Sequence, residues 1–317
     1  MADVYTDAGT AWSNALAAGY DRLLRFQLRS RPIFRQLVDV TPADVTNPGA
    51  TVTLSVVQEF SALATTPLGE TTDVAAVAPP NWNRVTVTVN EYGNAAIPTI
   101  RLRKLSFTDV DPALANVLGK NMIDTLDSLV RSTVDAGTHI LGKNAGTVKS
   151  DASGFAEASV AAGDKFDSTL ARDAVQLLRR RNVSGRDNAD LFVAIIHPDV
   201  AVDVMSDTGW LAPHQYVDTS NIYNSEIGTY AGARYIQSPR CTIVNDGSAS
   251  TSVYRTYFLG AEALVEAQVE DAHTVIGPQT DHLRRFFPMG WYFHGGWAIF
   301  RQEALQQVRS SGSLAGL

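Results

Sequence analysis

"DPALANVLGKNMIDTLDSLVRSTVDAGTHILG", residues 111–142, decides what kind of fold this chain can build. Asp111 stands where a helix N-cap belongs, and Pro112 suits a first helical position, where no N–H is needed. Leu114, Val117, Leu118, Met122, Leu126, Leu129 and Val130 then recur at three- and four-residue spacing on one stripe. The pattern predicts a single helix running to about Leu141, roughly 45 Å at 1.5 Å per residue. A core of this size seldom needs so long a helix, so it reads as a structural beam.

On the amino-terminal side, "TVTLSVVQEF" (51–60) and "RVTVTVNEYG" (84–93) alternate as strands do, with Val85, Val87 and Val89 on one face and threonines on the other. They read as the arms of a β-ribbon. The connection between them, "SALATTPLGETTDVAAVAPPNWN" (61–83), is rich in Thr, Ala and Pro and too long for a hairpin turn. Its Trp82 is a candidate assembly residue. A two-stranded ribbon cannot bury both faces by itself, so its partner is expected on another chain. Further upstream, "NALAAGYDRLLRFQLRSRPIFRQLV" (14–38) predicts an amphipathic helix with a short continuation past Pro32. Arg22, Arg25, Arg29, Arg31 and Arg35 face only Asp21 there. Spacings of three and four put Arg22, Arg25 and Arg29 on one helix face, suited to a charged contact or simply to solvent.

Downstream, a Gly/Ser/Ala-rich link (142–163) leads to a helix, "STLARDAVQLLRRRNV", a buried strand, "LFVAIIHP", and a capped helix, "PDVAVDVMSD", which together make an α/β unit. In "NSEIGTYAGARYIQSP" (224–239), Gly228 and Gly232 read as positions of positive φ or close backbone approach, turning the chain into the strand "ARYIQS". The aromatic stretch from Trp291 to Phe300 reads as a strand returning to an earlier sheet.

Chemical motifs fall away on inspection. "GTHILGKN" (137–144) has phosphate-loop spacing, yet Asn144 stands where a metal-binding hydroxyl is required, and a helix end stands where a strand-to-helix turn is required. Gly142 then reads as a helix C-cap. His197 and Asp199 lack a third partner, and "HPD" is ordinary for a strand entering a helix. No catalytic residue, cofactor site or metal site is expected. A net charge of -7 argues against tight coating of nucleic acid. One cysteine, Cys241, excludes an internal disulfide framework. The first twenty residues lack a basic start and an apolar core, so no secretory signal is expected, and no run is apolar enough to predict a membrane span.

The order of ribbon, long helix, "LFVAIIHPDVAVDVM", "YNSEIGTYAGARYIQSP", "YRTYFLGAEAL" and aromatic closing strand resembles the tailed-phage major capsid proteins of the Hong-Kong-97-type fold, in the branch related to the coliphage N-four coat. The resemblance covers nearly the whole chain. It implies an α+β fold with an N-arm (1–45), an extended loop (46–105), a peripheral domain with the spine helix (106–165 and 279–317) and an axial domain (166–278). It also implies self-assembly as pentamers and hexamers into an icosahedral shell. The expected partners are a portal protein, a scaffolding or decoration protein, and packaged double-stranded DNA in weak non-specific contact. A nanocompartment shell of the same fold, or an α/β enzyme using His197 or Lys143, are the alternatives. One member of this fold cross-links its subunits through a lysine on the extended loop. Here the lysines are Lys104, Lys120, Lys143, Lys149 and Lys165, none of them between 46 and 103, so no such cross-link is expected.

Overall fold

The computed structural model describes residues 32–42, 51–57, 82–106, 110–186, 190–207, 226–278, 282–283 and 285–314. A 3-10 turn (Phe34–Leu37) leads into β1 (Asp39–Pro42), followed by β2 (Thr51–Val57), β3 (Trp82–Thr88) and β4 (Asn90–Ala96). Helix α1 (Ile100–Leu105) and the long helix α2 (Val110–Asp135) precede a hairpin, β5 (Ile140–Asn144) and β6 (Thr147–Ser150). Then come α3 (Ser168–Arg180), β7 (Phe192–Ile196), α4 (Pro198–Ser206), β8 (Glu226–Tyr230) and β9 (Ala233–Gln237). Strands β10 (Ile243–Val244), β11 (Val253–Leu259), β12 (Leu264–Ile276), β13 (Met289–Ile299) and β14 (Leu305–Ser310) complete the order.

Helix α2 is the predicted beam, with 26 residues and a length of about 39 Å. Asp111 is not its N-cap. It lies inside the first turn, where its carboxylate takes the Arg103 guanidinium at 2.8 Å. The helix also stops short of Leu141. Gln307 Nε2 donates to the carbonyls of Val134 (2.7 Å) and Gly137 (3.3 Å), satisfying acceptors that a continuing helix would have used. The next residues are taken into a sheet, since β5 pairs in parallel with β14. Gly142 is therefore a strand residue and not a helix cap; a Cβ there would meet the Arg309 carbonyl at 2.7 Å. On the stripe, Leu114, Leu118, Leu126 and Val130 are buried as read, whereas Val117 is 43% exposed and Leu129 is half-buried.

Two sheets flank this helix. A four-stranded sheet has the order β1-β12-β13-β4, and an eight-stranded sheet runs β6-β5-β14-β11-β7-β9-β8 with β10 on β11. The middle of α2 buries Leu118 and Leu126 against Trp291 and Phe293 of the small sheet. Its last turns bury Val130 and Val134 with Tyr257, Leu259 and Leu305 of the large one. On the opposite face of the large sheet, α3 and α4 bring Leu170, Val175, Leu178, Val200 and Val204 onto Phe192, Tyr235, Phe258 and Val308.

Other sequence expectations are adjusted by pairing. The ribbon exists, in register from Thr51↔Thr88 to Val57↔Trp82. Val87 and Val89 are buried and the threonines of both arms exposed. Its second arm splits at Val89, beyond which β4 leaves the ribbon for β13. The ribbon base has a partner within its own chain, because Val87 and Val89 cluster with Val265 and Ala267. Residues 34–37 form only a 3-10 turn where the helix was expected to continue, and Phe34 packs edge-on against Tyr257 at 5.6 Å. The link 142–163 is not free linker. The buried Asp164 carboxylate accepts from the amides of Ala145, Gly146 and Ala161, tying the β5–β6 turn to the segment that leads into α3. The sheets also cross the implied domain boundaries. β12 of 166–278 pairs with β13 of 279–317, whereas β14 of that same segment enters the large sheet beside β5.

Where the two sheets meet α2, the joint is polar. Asp127, 1% exposed, accepts from the Arg35 amide (3.2 Å) and Arg240 Nη1 (3.2 Å), and Arg240 also reaches Asp124. The Arg35 guanidinium forks onto Glu266 at 2.8 and 3.2 Å, and Trp297 Nε1 adds a third donor at 2.9 Å. Glu266 is fully buried. Glu266→Gln is expected to lower the unfolding free energy of the unassembled subunit by about 3 kcal/mol or more, because Arg35 then faces a neutral group. Arg186→Gln, at the exposed Asp39 pair, is expected to change it by less than about 1 kcal/mol. Urea unfolding of both variants checks this, and equal losses would contradict it.

Candidate assembly surfaces

Arg22, Arg25 and Arg29 lie outside the described residues, as does the ribbon connection before Trp82. Trp82 itself opens β3 and pairs with Val57 at the ribbon's distal end. Of the five arginines read together, Arg35 is described. It serves the joint inside its own chain and also lies 5.3 Å over the Phe293 ring.

Gly228 and Gly232 both have positive φ, 118° and 89°. Gly232 forms the two-residue turn between β8 and β9 with Ala231 (φ 52°), and Arg179 crosses over it so closely that a Cβ would lie 2.6 Å from Nη2. Gly228 sits at a register shift in β8, opposite Tyr235. This hairpin makes β8 an edge strand of the large sheet.

His197 is bonded inward. Its Nδ1 accepts from the Asp199 amide at 3.2 Å, capping α4. Burial lowers its pKa, with the Asp199 carboxylate pulling the other way. The ring lies 5.1 Å from that of Tyr254, whose hydroxyl donates to Asp199 at 2.9 Å. Burial and then that bond push the Tyr254 phenol up to about 12. Lys143, the other enzyme candidate, is ion-paired with Asp167, the N-cap of α3. Among the described residues no cluster of His, Cys, Asp and Glu is arranged to hold a metal ion, and no helix is long and apolar enough to cross a membrane.

One ionic network had no sequence signal. At the end of α2, Asp135 accepts from Tyr257 Oη (2.5 Å) and Thr242 Oγ1 (2.6 Å) and pairs with Arg255 at 3.3 Å. Arg255 also reaches Glu157 at 3.5 Å, and Glu157 pairs with Arg309. Burial alone would lower the Arg255 pKa, but Asp135 and Glu157 raise it above its usual range. A carboxylate at a helix C-terminus opposes the macrodipole, and these donors offset that. Cys241 is buried beside this network as a free thiol.

One outer surface is apolar. An open groove of about 430 Å³ runs over β4 and β13, lined by Gly93, Ala95, Val275, Met289, Gly290 and Tyr292. Beyond its end Ile97, Ile276 and Leu283 are 57%, 75% and 71% exposed. Such a cluster is what a protein interface needs. Gly232→Val is expected to cost about 1–3 kcal/mol, through strain at positive φ and displacement of Arg179. Gly232→Asn, which tolerates that region, is expected to cost less. Chemical denaturation of the subunit reads both, and a valine variant as stable as the parent would refute the strain.

The sequence matches a family model described as phage capsid protein over residues 7–304. Among curated proteins none matches. Solved structures do. The capsid of Ralstonia phage GP4 is 13% identical with a TM-score of 0.70, over 93% of this chain and 94% of that one. The capsid of cyanophage P-SCSP1u is 14% identical with a TM-score of 0.70, covering 92% and 91%. The capsid of Helicobacter pylori bacteriophage KHP30 is 10% identical with a TM-score of 0.68, covering 92% and 94%. The chain belongs to the phage capsid protein family, and its fold is of the Hong-Kong-97 type.

Proposed function

We propose that this phage capsid protein is the major coat subunit of a tailed double-stranded DNA phage, assembling as pentamers and hexamers into the icosahedral head that encloses the genome. The family match over residues 7–304 carries the reading. Physical features support it: a beam stiffens each subunit across two sheets, and a ribbon's distal end reaches beyond its own core. Symmetric shells supply the neighbours such parts require. A coat of net charge -7 does not trap the polyanion that has to be packed and released. On this reading, assembly takes place in the host cytoplasm with a scaffolding or decoration protein and a portal, and the subunit's role is structural. The peripheral domain is built on the spine helix α2 with the small sheet. The axial domain is the large sheet with α3 and α4.

The shell is held without covalent cross-links. Lys104 lies in α1, Lys143 faces Asp167, and Lys165 Nζ donates to Ser313 at 2.6 Å. Arginine cannot replace lysine as an amine nucleophile, because its guanidinium stays protonated. Negative-stain microscopy of the purified protein is expected to show closed shells, and boiled particles are expected to run as one band near 34.2 kDa. A species that stays monomeric at high concentration with scaffold present would overturn the coat reading; enclosed protein cargo in place of a genome would favour a nanocompartment, and turnover by a small oligomer an enzyme. A ladder that survives reductant would overturn only the absence of cross-links.

Arg22, Arg25 and Arg29 serve as the arm's charged contact with an acidic neighbour surface or with packaged DNA. Replacing all three with glutamine is expected to weaken assembly or genome retention, with a loss that depends on ionic strength. Unchanged shells with unchanged DNA content, across a salt series, would remove this role.

A further inference from the structure

Two adjacent glycines, Gly295 and Gly296, lie on β13 where the ribbon leaves the small sheet. Pairing of β4 with β13 runs from Met289↔Ala96 to Gly295↔Asn90 and stops there. On the ribbon side of Asn90 the chain leaves that pairing, and Thr88, which closes the ribbon base opposite Thr51, passes directly over Gly296. A Cβ on Gly296 would lie 2.0 Å from the Thr88 carbonyl oxygen, 2.9 Å from its carbonyl carbon and 3.2 Å from Val87 Cγ1. The two nearest atoms are backbone, which cannot swing aside as the end of a side chain can.

Each glycine serves one face of the sheet. On the helix side, Phe293 and Trp297 stack across Gly295 with ring centroids 5.3 Å apart, and a Cβ on Gly295 would lie 2.6 Å from Phe293 Cζ. Trp297 continues into the buried joint through its bond to Glu266, which also holds Arg35. On the ribbon side, Val87 and Val89 pack with Val265 and Ala267, and Ala267 is the pairing partner of Gly296. Strand β13 cannot sink towards α2 to relieve pressure from the ribbon, because stacked rings and the Glu266–Arg35 pair already fill that side. A side chain at 296 has to lift the ribbon instead.

We propose that Gly296 is a positioning residue for assembly: its bare backbone lets the ribbon base lie close on the small sheet, and so fixes the angle at which the ribbon leaves the subunit. The inference rests on the shell reading and names a residue that sets the geometry within it. Relieving the 2.0 Å approach to an ordinary separation lifts Thr88 by about 1.2 Å; with Asn90 as pivot, two residues away at about 3.3 Å each, the ribbon tilts by about 10°. Arg84, six residues from that pivot, then moves by about 3–4 Å, and Trp82 by about 5 Å. Closure of a symmetric shell depends on the angle between neighbours, so a tilt of this size changes which shell closes.

A distance measurement tests the proposal. Spin labels on Arg84→Cys and Asn116→Cys report the ribbon against α2, since both positions are exposed, α2 packs on the sheet face opposite the ribbon, and Cys241 is buried. In the unassembled subunit, Gly296→Ala is expected to lengthen the pulsed electron-spin distance by about 3 Å. Shells of that variant, seen in negative stain, are expected to differ from the parent in diameter or uniformity. Gly290→Ala, on the same strand and crowded by the Asn94 carbonyl at 2.9 Å but away from the ribbon, is expected to leave the distance unchanged. If Gly296→Ala does not fold, Ala298→Val is a smaller wedge against the same ribbon cluster and is expected to lengthen the distance in the same sense. The proposal is overturned if the folded wedge variant keeps the parental distance, if Gly290→Ala shifts it as much, or if the distance grows while the shells stay as in the parent. If the parent itself builds no shells, the coat reading fails, and the distance in the subunit alone decides whether Gly296 sets the ribbon angle.

Discussion

The subunit depends on how α2 is held at the joint between its two sheets. Asp127 on the helix, Glu266 on the small sheet, Arg240 after the large sheet's β9, and Arg35 from the amino-terminal segment meet within hydrogen-bonding reach. Two carboxylates removed from water there would be strongly unfavourable alone. Each is matched by a guanidinium and further donors, so the group is stable only when all four segments arrive together. Apolar packing alone would let the helix slide on two separate hydrophobic faces. A paired and directional polar group fixes one position along the axis.

The same logic recurs about two turns further on, at the carboxyl end of the helix, where Asp135 gathers Tyr257, Thr242 and Arg255. The large sheet is thereby fixed to the last turn as firmly as the small sheet is to the middle. Between them lies the crossing of the chain from β13 in one sheet to β14 in the other, bridged by only a few residues. A shell subunit transmits load between neighbours, and a beam clamped at both sheets suits that better than two domains on a linker.

Much of this architecture was legible. The ribbon alternation, the long stripe, the buried strand "FVAII" and the capped helix after it are local patterns, and local patterns survive folding. What failed was where pairing at a distance decides. The helical pattern extends to Leu141, and nothing near Gly137 says that Gln307, far along the sequence, takes the last carbonyls. Gly142 looks like a cap in the sequence because its strand partner, Arg309, lies at the other end of the chain. Asp127, Glu266 and Asp135 carry no local signal of their burial, since a charged residue in an amphipathic stretch looks like solvent-facing surface until its partner is known. For the assembly surfaces, the turn at Gly232 is legible from two residues, whereas the groove over β4 and β13 depends on the pairing of strands nearly 200 residues apart.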